Sequence, residues 1–224
     1  MQFVERIKGM FTKPEETIKD ILKEPRTEEP LMIIGVYAII VLISGYISST
    51  RMGIGAAVLN LVISFALVLI GWPIATGVVH VLALFLGGQG KYNPDMLNAI
   101  GYTYLVKYIP ALIGIVLLLF LPTMNLGMPQ ITPTMSMDQI KEAMQPYIAM
   151  MEQIYFSPIF ILSLVISYLG LIWSCYLGSL AVKIGDKTSA VASYIAVFAP
   201  MVVYIIFNLL AVYGSYLLVK MLYG

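Results

Sequence analysis

Residues 71–110 read GWPIATGVVHVLALFLGGQGKYNPDMLNAIGYTYLVKYIP. Two apolar segments meet here at a glycine-rich turn, residues 87–95, that is too short to leave a membrane surface. The stretch holds four residues that are costly in hydrocarbon: the chain's only histidine, His80, a lysine within an apolar run, Lys107, and the prolines Pro73 and Pro110. Neighbouring helices or water must compensate such groups at depth. The stretch therefore predicts a helical hairpin inside a membrane protein.

The composition of the whole chain agrees with that class. Apolar residues make up 60% of the 224 residues and charged residues 11%, far from the balance of a soluble domain. The net charge of +1 does not favour a nucleic-acid-binding surface. One cysteine, Cys175, permits no disulfide within the chain and no thiolate metal cage. We therefore expect neither a metal nor another cofactor.

Five apolar runs are each long enough to cross the hydrocarbon layer: residues 31–50, 54–86, 96–121, 158–182 and a final run after residue 187. They predict an all-α integral membrane protein with five transmembrane helices, kinked at Pro73, Pro110 and Pro200. The link over residues 122–157 is predicted to contain an amphipathic helix, which the capping-box pattern of Ser136 and Gln139 opens.

Residues 1–29, ahead of the first span, form a separate segment with two short amphipathic helices. Thr12 is predicted to be the N-cap of the second. Six of the chain's 13 Lys and Arg residues lie here, so we expect the segment to bind anionic lipids of the inner leaflet. The membrane-surface candidates are Arg6, Lys8, Lys13, Lys19 and Lys23. A docking site for a protein partner is the alternative.

The distribution of basic residues predicts the orientation of residues 30–224, the membrane domain. With the N-terminus in the cytoplasm, nine basic residues lie inside, against Arg51, Lys141 and Lys220 outside. The positive-inside rule thus favours a multi-pass protein of the cell membrane with a cytoplasmic N-terminus, an external link at residues 122–157 and an external C-terminus.

A weak internal repeat is also visible. Trp72 precedes Gly77 as Trp173 precedes Gly178, and Tyr104 precedes Pro110 as Tyr194 precedes Pro200. The matched positions fall in spans two and three and in spans four and five. The pattern predicts a parallel repeat of two helical hairpins.

Several motifs together carry a resemblance to a known family. Residues 11–14 read FTKP, residues 22–25 read LKEP, and the third of five spans contains Gly101-Tyr102 with a proline downstream. The chain resembles the Yip family, whose members bind Ypt/Rab GTPases and act in vesicle trafficking. A short N-terminal segment replaces the long acidic head of the trafficking members, and this is similar to prokaryotic members. The resemblance implies a five-span fold and binding of protein partners through the N-terminal segment.

The chain offers few groups for catalysis. No Asp or Glu lies inside the five predicted spans, and no metalloprotease, serine-hydrolase or nucleotide-binding motif is present. We therefore do not expect an enzyme. The polar pocket candidates within the spans are His80, Lys107, Tyr104, Tyr108, Asn60 and Asn208.

Two functions follow from these observations. The first is a non-enzymatic membrane organiser or partner-binding scaffold. The second is a small transporter or channel, in which His80 and Lys107 share a pocket for an anionic lipid headgroup or solute. In the alternative for these two residues, His80 packs against a neighbouring helix and Lys107 extends toward the inner surface. The oligomeric state is left open, and a homo-oligomer is compatible with the sequence.

Overall fold

The structure is a computed structural model that describes residues 1–49, 54–120 and 132–223. Most of the described residues lie in helices. They are α1 (Phe3–Thr12), α2 (Pro14–Lys23), α3 (Glu28–Ser49), α4 (Ile54–Phe85), a π-helical turn (Tyr92–Met96), α5 (Leu97–Tyr102), a 3-10 segment (Thr103–Lys107), α6 (Tyr108–Leu119), α7 (Met137–Tyr155), α8 (Pro158–Gly185) and α9 (Ala190–Tyr223).

Five segments of the described chain are long and apolar enough to cross a membrane, which confirms the predicted fold class. They are Glu28–Ile47, Leu61–Phe85, Tyr92–Leu119, Pro158–Gly185 and Ala190–Tyr223. The first begins at Glu28, three residues before the apolar run. A carboxylate, Glu29, therefore lies in its first turn, where sequence analysis placed no acidic residue.

The two N-terminal helices form as predicted, although their boundary differs by one residue. Pro14 is the first residue of α2, and Lys13, not Thr12, precedes it as the N-cap. The Thr12 hydroxyl instead donates to the carbonyl of Lys8 within α1. The prediction for Ser136 is confirmed, because its hydroxyl accepts from the Gln139 amide at 3.3 Å while the Gln139 side chain accepts from the Ser136 amide at 2.9 Å.

The third span changes its helical type just before Pro110. Proline has no amide proton, and its ring clashes with the carbonyl four residues earlier, here that of Val106. The preceding residues Thr103–Lys107 form a 3-10 segment, and α6 then continues to Leu119. Helices α4 and α9 continue through Pro73 and Pro200 without such a segment.

The spans contact one another in the closed order α3, α4, α9, α8, α6 and back to α3. At one end of this bundle lie α1, α2 and the turns at residues 86–91 and 186–189, which we call the N-terminal end. There Met10, Ile18 and Ile21 of the N-terminal helices are buried in the same core as Ile34 and Val182. Residues 1–29 thus share a hydrophobic core with the spans.

Helix α7 lies at the opposite end, against the last turns of α9. Its apolar face buries Met144, Ile148 and Met151 around Tyr216. Glu152 accepts hydrogen bonds from the Tyr216 hydroxyl and from Lys220 at 2.8 and 2.9 Å. Arg51 and residues 122–131 of the predicted external link lie outside the described residues.

The parallel repeat stays a prediction. Its two tryptophans differ in environment, since Trp72 is 4% exposed and Trp173 is 39% exposed.

Candidate functional site

The buried arginine of α1 is the centre of a polar cluster at the N-terminal end. Arg6 has no exposed side-chain surface, and its guanidinium lies 2.8 Å from a carboxylate oxygen of Asp20 in α2 and 2.8 Å from one of Glu29 in α3. It also donates to the backbone carbonyls of Asp20 and Glu24, at 3.3 and 3.1 Å. One side chain therefore joins α1, α2 and the start of the first span.

The third span reaches the same cluster through Tyr102. Its hydroxyl donates a short hydrogen bond to the Glu29 oxygen that also accepts from Arg6. Arg26 lies 3.4 Å from the other oxygen of Glu29. The buried carboxylate is thus held by two cations and a phenol, as a buried charge requires.

Two pKa shifts outside the spans describe the electrostatics of this cluster. Burial disfavours the charge of Arg6, but the hydrogen bonds to Glu29 and Asp20 outweigh it and raise the pKa of Arg6 above its ordinary value. Burial likewise tends to raise the pKa of Asp20. The hydrogen bonds from the N-terminal ammonium and Arg6 outweigh that effect, and the pKa of Asp20 falls below its ordinary range.

The structure corrects the interpretation of Arg6 as a membrane-surface residue, because its guanidinium is buried and paired with carboxylates inside the protein. The other four candidates, Lys8, Lys13, Lys19 and Lys23, are exposed. Lys13 pairs with Glu16 at 3.6 Å, and Lys19 pairs with Glu15 at 2.8 Å. The six basic residues of the segment stand beside seven acidic ones: Glu5, Glu15, Glu16, Asp20, Glu24, Glu28 and Glu29. The segment therefore carries no excess of positive side chains.

The third span packs closely against side chains of α3 and α4 at Gly101, next to Tyr102. A Cβ at residue 101 would lie 2.5 Å from the Cβ of Pro30 and 3.2 Å from the ring of Trp72. Only glycine lets the third span come this near to the start of α3. The Gly101-Tyr102 pair thus has two functions, since the first residue permits the contact and the second donates to Glu29.

A second buried polar pair lies at the same end of the bundle. His80 Nδ1 of α4 lies 2.9 Å from Asp186 Oδ1, directly after α8. The Asp186 carbonyl accepts from the Gln89 amide at 2.7 Å, so Asp186 is bonded both to α4 and to the turn that follows it. Burial raises the pKa of Asp186 above its ordinary value, and the neighbouring His80 offsets part of this rise. Asp186 Oδ2 is buried and has no hydrogen-bond partner.

The structure does not bring His80 and Lys107 into direct contact, and a pocket that a ligand shares between them stays a prediction. His80 pairs with Asp186 at the N-terminal end, whereas the Lys107 Nζ lies over the ring of Tyr104, 3.8 Å from its centroid. No hydrogen bond or ion pair joins the two in the part of the chain that the structure describes.

The remaining pocket candidates are distributed over different contacts. The Tyr108 hydroxyl donates to the carbonyl of Ile33 at 2.6 Å. Asn208 of α9 accepts from the Tyr168 hydroxyl at 2.9 Å. The side chain of Asn60 lies outside the described residues. Within residues 1–49, 54–120 and 132–223, no group of three His, Cys, Asp or Glu side chains is placed to hold a metal ion.

Sequence reasoning missed Glu29 and Asp186 as partners, because both lie just beyond the apolar runs. The sequence did contain one indication that Arg6 is buried. Arg6 follows Phe3 by three residues and precedes Met10 by four, so it lies on the apolar face of α1. A cation on that face predicts a buried carboxylate opposite it.

Comparison with known proteins identifies a family whose model matches most of the chain. The model of the Yip1 domain matches residues 8–212. An uncharacterised protein of Methanocaldococcus jannaschii is 26% identical over 117 residues, which cover 47% of this chain and 82% of that protein. No solved structure matches the chain.

Proposed function

The chain belongs to the Yip1 domain family, and from that premise we propose that it is a non-enzymatic membrane organiser, a scaffold that binds protein partners at the inner surface of the cell membrane. The observation that carries the proposal is the fixed position of α1 and α2, which Arg6 anchors to Glu29 at a separation of 2.8 Å. A docked pair of helices presents one constant surface. A partner then loses less conformational entropy on binding than it would with a disordered segment.

The surface itself combines apolar area with two unpaired cations. Val4 is 72% exposed and Phe11 is 40% exposed, with the Phe11 ring 5.7 Å from that of Trp173. Within the described residues, no carboxylate lies within 4 Å of the ammonium of Lys8 or Lys23. A partner with an apolar anchor and a flanking carboxylate fits this surface. By the positive-inside rule, the asymmetry of basic residues favours a cytoplasmic position for this surface and an external C-terminus.

Site-specific crosslinking in cells tests the proposal. A photoreactive residue at Val4 is expected to yield an adduct with a protein of defined mass. The matched control is Lys141, which is exposed on α7 at the other end of the bundle. If Val4 yields only lipid adducts, or the same protein adducts as Lys141, the scaffold role is wrong.

Binding of anionic inner-leaflet lipids is a further component of the proposal, carried by the unpaired lysines. Each contributes about 1 kcal/mol near an anionic surface, screened by salt. Replacing Lys8 and Lys23 with Gln is expected to increase hydrogen exchange of α1 and α2 in anionic nanodiscs but not in neutral ones. The control replaces Lys13 and Lys19, which already pair with Glu16 and Glu15. Equal effects of the two double variants would contradict a role for the unpaired charges.

A small transporter or channel for an anionic lipid or solute is the second candidate. The observation that favours it is Lys107, a lysine near the middle of the third span with no acidic partner within 4 Å in the described part of the chain. Solute flux into proteoliposomes, compared with protein-free vesicles, tests it. Flux equal to that of protein-free vesicles would contradict the transporter and leave the membrane organiser as the one remaining candidate function.

A further inference from the structure

Lys107 differs from three other basic side chains that are buried or belong to the spans. Arg6 pairs with Glu29 at 2.8 Å, His80 with Asp186 at 2.9 Å, and Lys220 with Glu152 at 2.9 Å. Within residues 1–49, 54–120 and 132–223, no carboxylate oxygen lies within 4 Å of the Lys107 ammonium. The positive charge of Lys107 therefore has no negative counterpart among the described residues.

Lys107 lies within the third span, which runs from Tyr92 to Leu119. At about 1.5 Å per residue, it is roughly 22 Å from the first residue of the span and roughly 18 Å from the last. Its neighbours Tyr102 and Tyr108 bond to Glu29 and to the carbonyl of Ile33, in the first two turns of α3. Extension of Lys107 toward the inner surface stays the alternative from sequence.

The ammonium lies beside a cluster of aromatic side chains. It is 3.8 Å from the centroid of the Tyr104 ring. The Tyr37 ring of α3 is edge-on to Tyr104 at 5.5 Å and stacked on Tyr108 at 6.2 Å. The first and third spans thus contribute to one cluster.

This cluster contains an ammonium and phenol hydroxyls as hydrogen-bond donors, but the described residues supply no anionic acceptor for them. Among the described residues, the hydroxyls of Tyr37 and Tyr104 have no hydrogen-bond partner, whereas that of Tyr108 donates to Ile33. A lysine ammonium is a donor only, and a phenol donates readily. A ligand that completes the cluster must therefore accept several hydrogen bonds and carry negative charge.

We propose that Lys107, Tyr37 and Tyr104 bind a single oxyanion, a carboxylate or phosphate, of an amphipathic ligand within the membrane. Lys107 supplies the charge and one hydrogen bond, and the two phenols supply further donors. The flank of α6 is apolar and open, with Ile109 and Leu112 49% and 51% exposed, so an acyl chain has a surface to lie on. This inference rests on the second candidate function, whose ligand it specifies at the same lysine, and it is independent of the organiser role, which concerns a different region of the chain. Oxyanion binding without solute flux would leave the site standing and remove only the transporter.

Native mass spectrometry of the full chain in a neutral detergent tests the proposal. The probes are oleate, phosphatidylglycerol and inorganic phosphate, each titrated separately. Wild type is expected to bind one oleate or one phosphatidylglycerol. Lys107→Met, which keeps the apolar stem, is expected to weaken this binding at least about tenfold, because a charge-assisted hydrogen bond is stronger than a neutral one. Lys107→Arg should retain it, and Lys220→Met is the matched control.

The three probes distinguish the sources of the oxyanion. Binding of inorganic phosphate alone, lost in Lys107→Met, would support the oxyanion chemistry and overturn the amphipathic ligand. Equal binding by Lys107→Met and Lys220→Met would overturn the site, as would the absence of any bound probe in wild type. If Lys107→Met is not monodisperse, Tyr37→Phe with Tyr104→Phe removes only the two hydroxyls. This double variant is expected to bind several-fold more weakly, and unchanged binding would overturn the proposal.

Discussion

The guanidinium of Arg6, in the first helix, lies 2.8 Å from the carboxylate of Glu29, in the first turn of the first span. Both side chains are buried, and Tyr102 donates to the same carboxylate from the third span. The N-terminal helices are therefore joined to the membrane domain through charges that water does not screen.

Replacing Arg6 with Met should destabilise the protein by about 3 to 5 kcal/mol, because Glu29 and Asp20 lose their shared cation. The apparent Tm in detergent and protease cleavage within residues 1–27 measure the effect. Lys8→Met is the control, on the same helix but exposed. An apparent Tm of Arg6→Met equal to that of Lys8→Met would show that the ion pair contributes no stability.

Replacing Gly101 with Ala should destabilise the protein by about 1 to 3 kcal/mol, the usual range for overpacking. The new Cβ would lie 2.5 Å from Pro30, so α3 and the third span must separate. Gly114→Ala is the matched control on the same span, since nothing lies within 4 Å of a Cβ there. Equal thermal stability of the two variants would contradict the close approach.

Two aspartates are expected to show opposite pH dependence. The pKa of Asp186 is raised by burial, so its protonation favours the folded state. The contribution of protonated Asp186 to the free energy of unfolding is complete below the pKa of the unfolded state, about 3.9. It is lost as the pH rises through the pKa of the folded state. The charged and titratable neighbours that act on it are His80 of α4 and Asp95 of the π-helical turn. The stability of wild type relative to Asp186→Asn should therefore fall with rising pH.

Asp20 provides the comparison of opposite sign. Its pKa is lowered by the N-terminal ammonium and Arg6 against the effect of burial. Its contribution is present above the unfolded pKa and is lost as the pH falls through the folded value. The stability of wild type relative to Asp20→Asn should rise with pH. Unfolding in detergent at a series of acidic pH values measures both stability differences, wild type against each variant. If the two differences change with pH in the same direction, the opposite pKa shifts of Asp186 and Asp20 are wrong.

Cysteine labelling in intact cells tests the orientation. In a Cys175→Ser background, Ser136→Cys on the external side should react with an impermeant thiol reagent. Lys187→Cys, in the turn between α8 and α9, should react only after the membrane is opened. The nine-to-three excess of basic residues on the inner side is the reason. Labelling of residue 187 but not residue 136 in intact cells would reverse the orientation.

The sequence predicted the features of this fold that depend on local patterns. Apolar runs predicted the spans, and the residue pattern at Ser136 predicted the start of α7. Proline at residue 110 marked the interruption of the third span. Each of these signals lies within a few residues of its effect.

The candidate site depends on contacts between residues far apart in the chain, and these were not predictable from local patterns. Arg6 and Glu29 are separated by 23 positions, and His80 and Asp186 by 106. His80 and Lys107 lie on the two arms of one predicted hairpin and were expected to share a pocket. The hairpin instead turns His80 toward the end of α8, while Lys107 packs on a tyrosine of its own span.

The Arg6 cluster also constrains the order in which the protein is assembled. Arg6 is synthesised first, but its partner Glu29 gains its remaining hydrogen bond only after Tyr102 has been made. The side chain of Leu22 in α2 packs near Gly185, at the end of the fourth span. Packing of α2 on the fourth span therefore requires that more than four-fifths of the chain has been made. A chain truncated before α8 should leave α2 more open to proteases and chaperones.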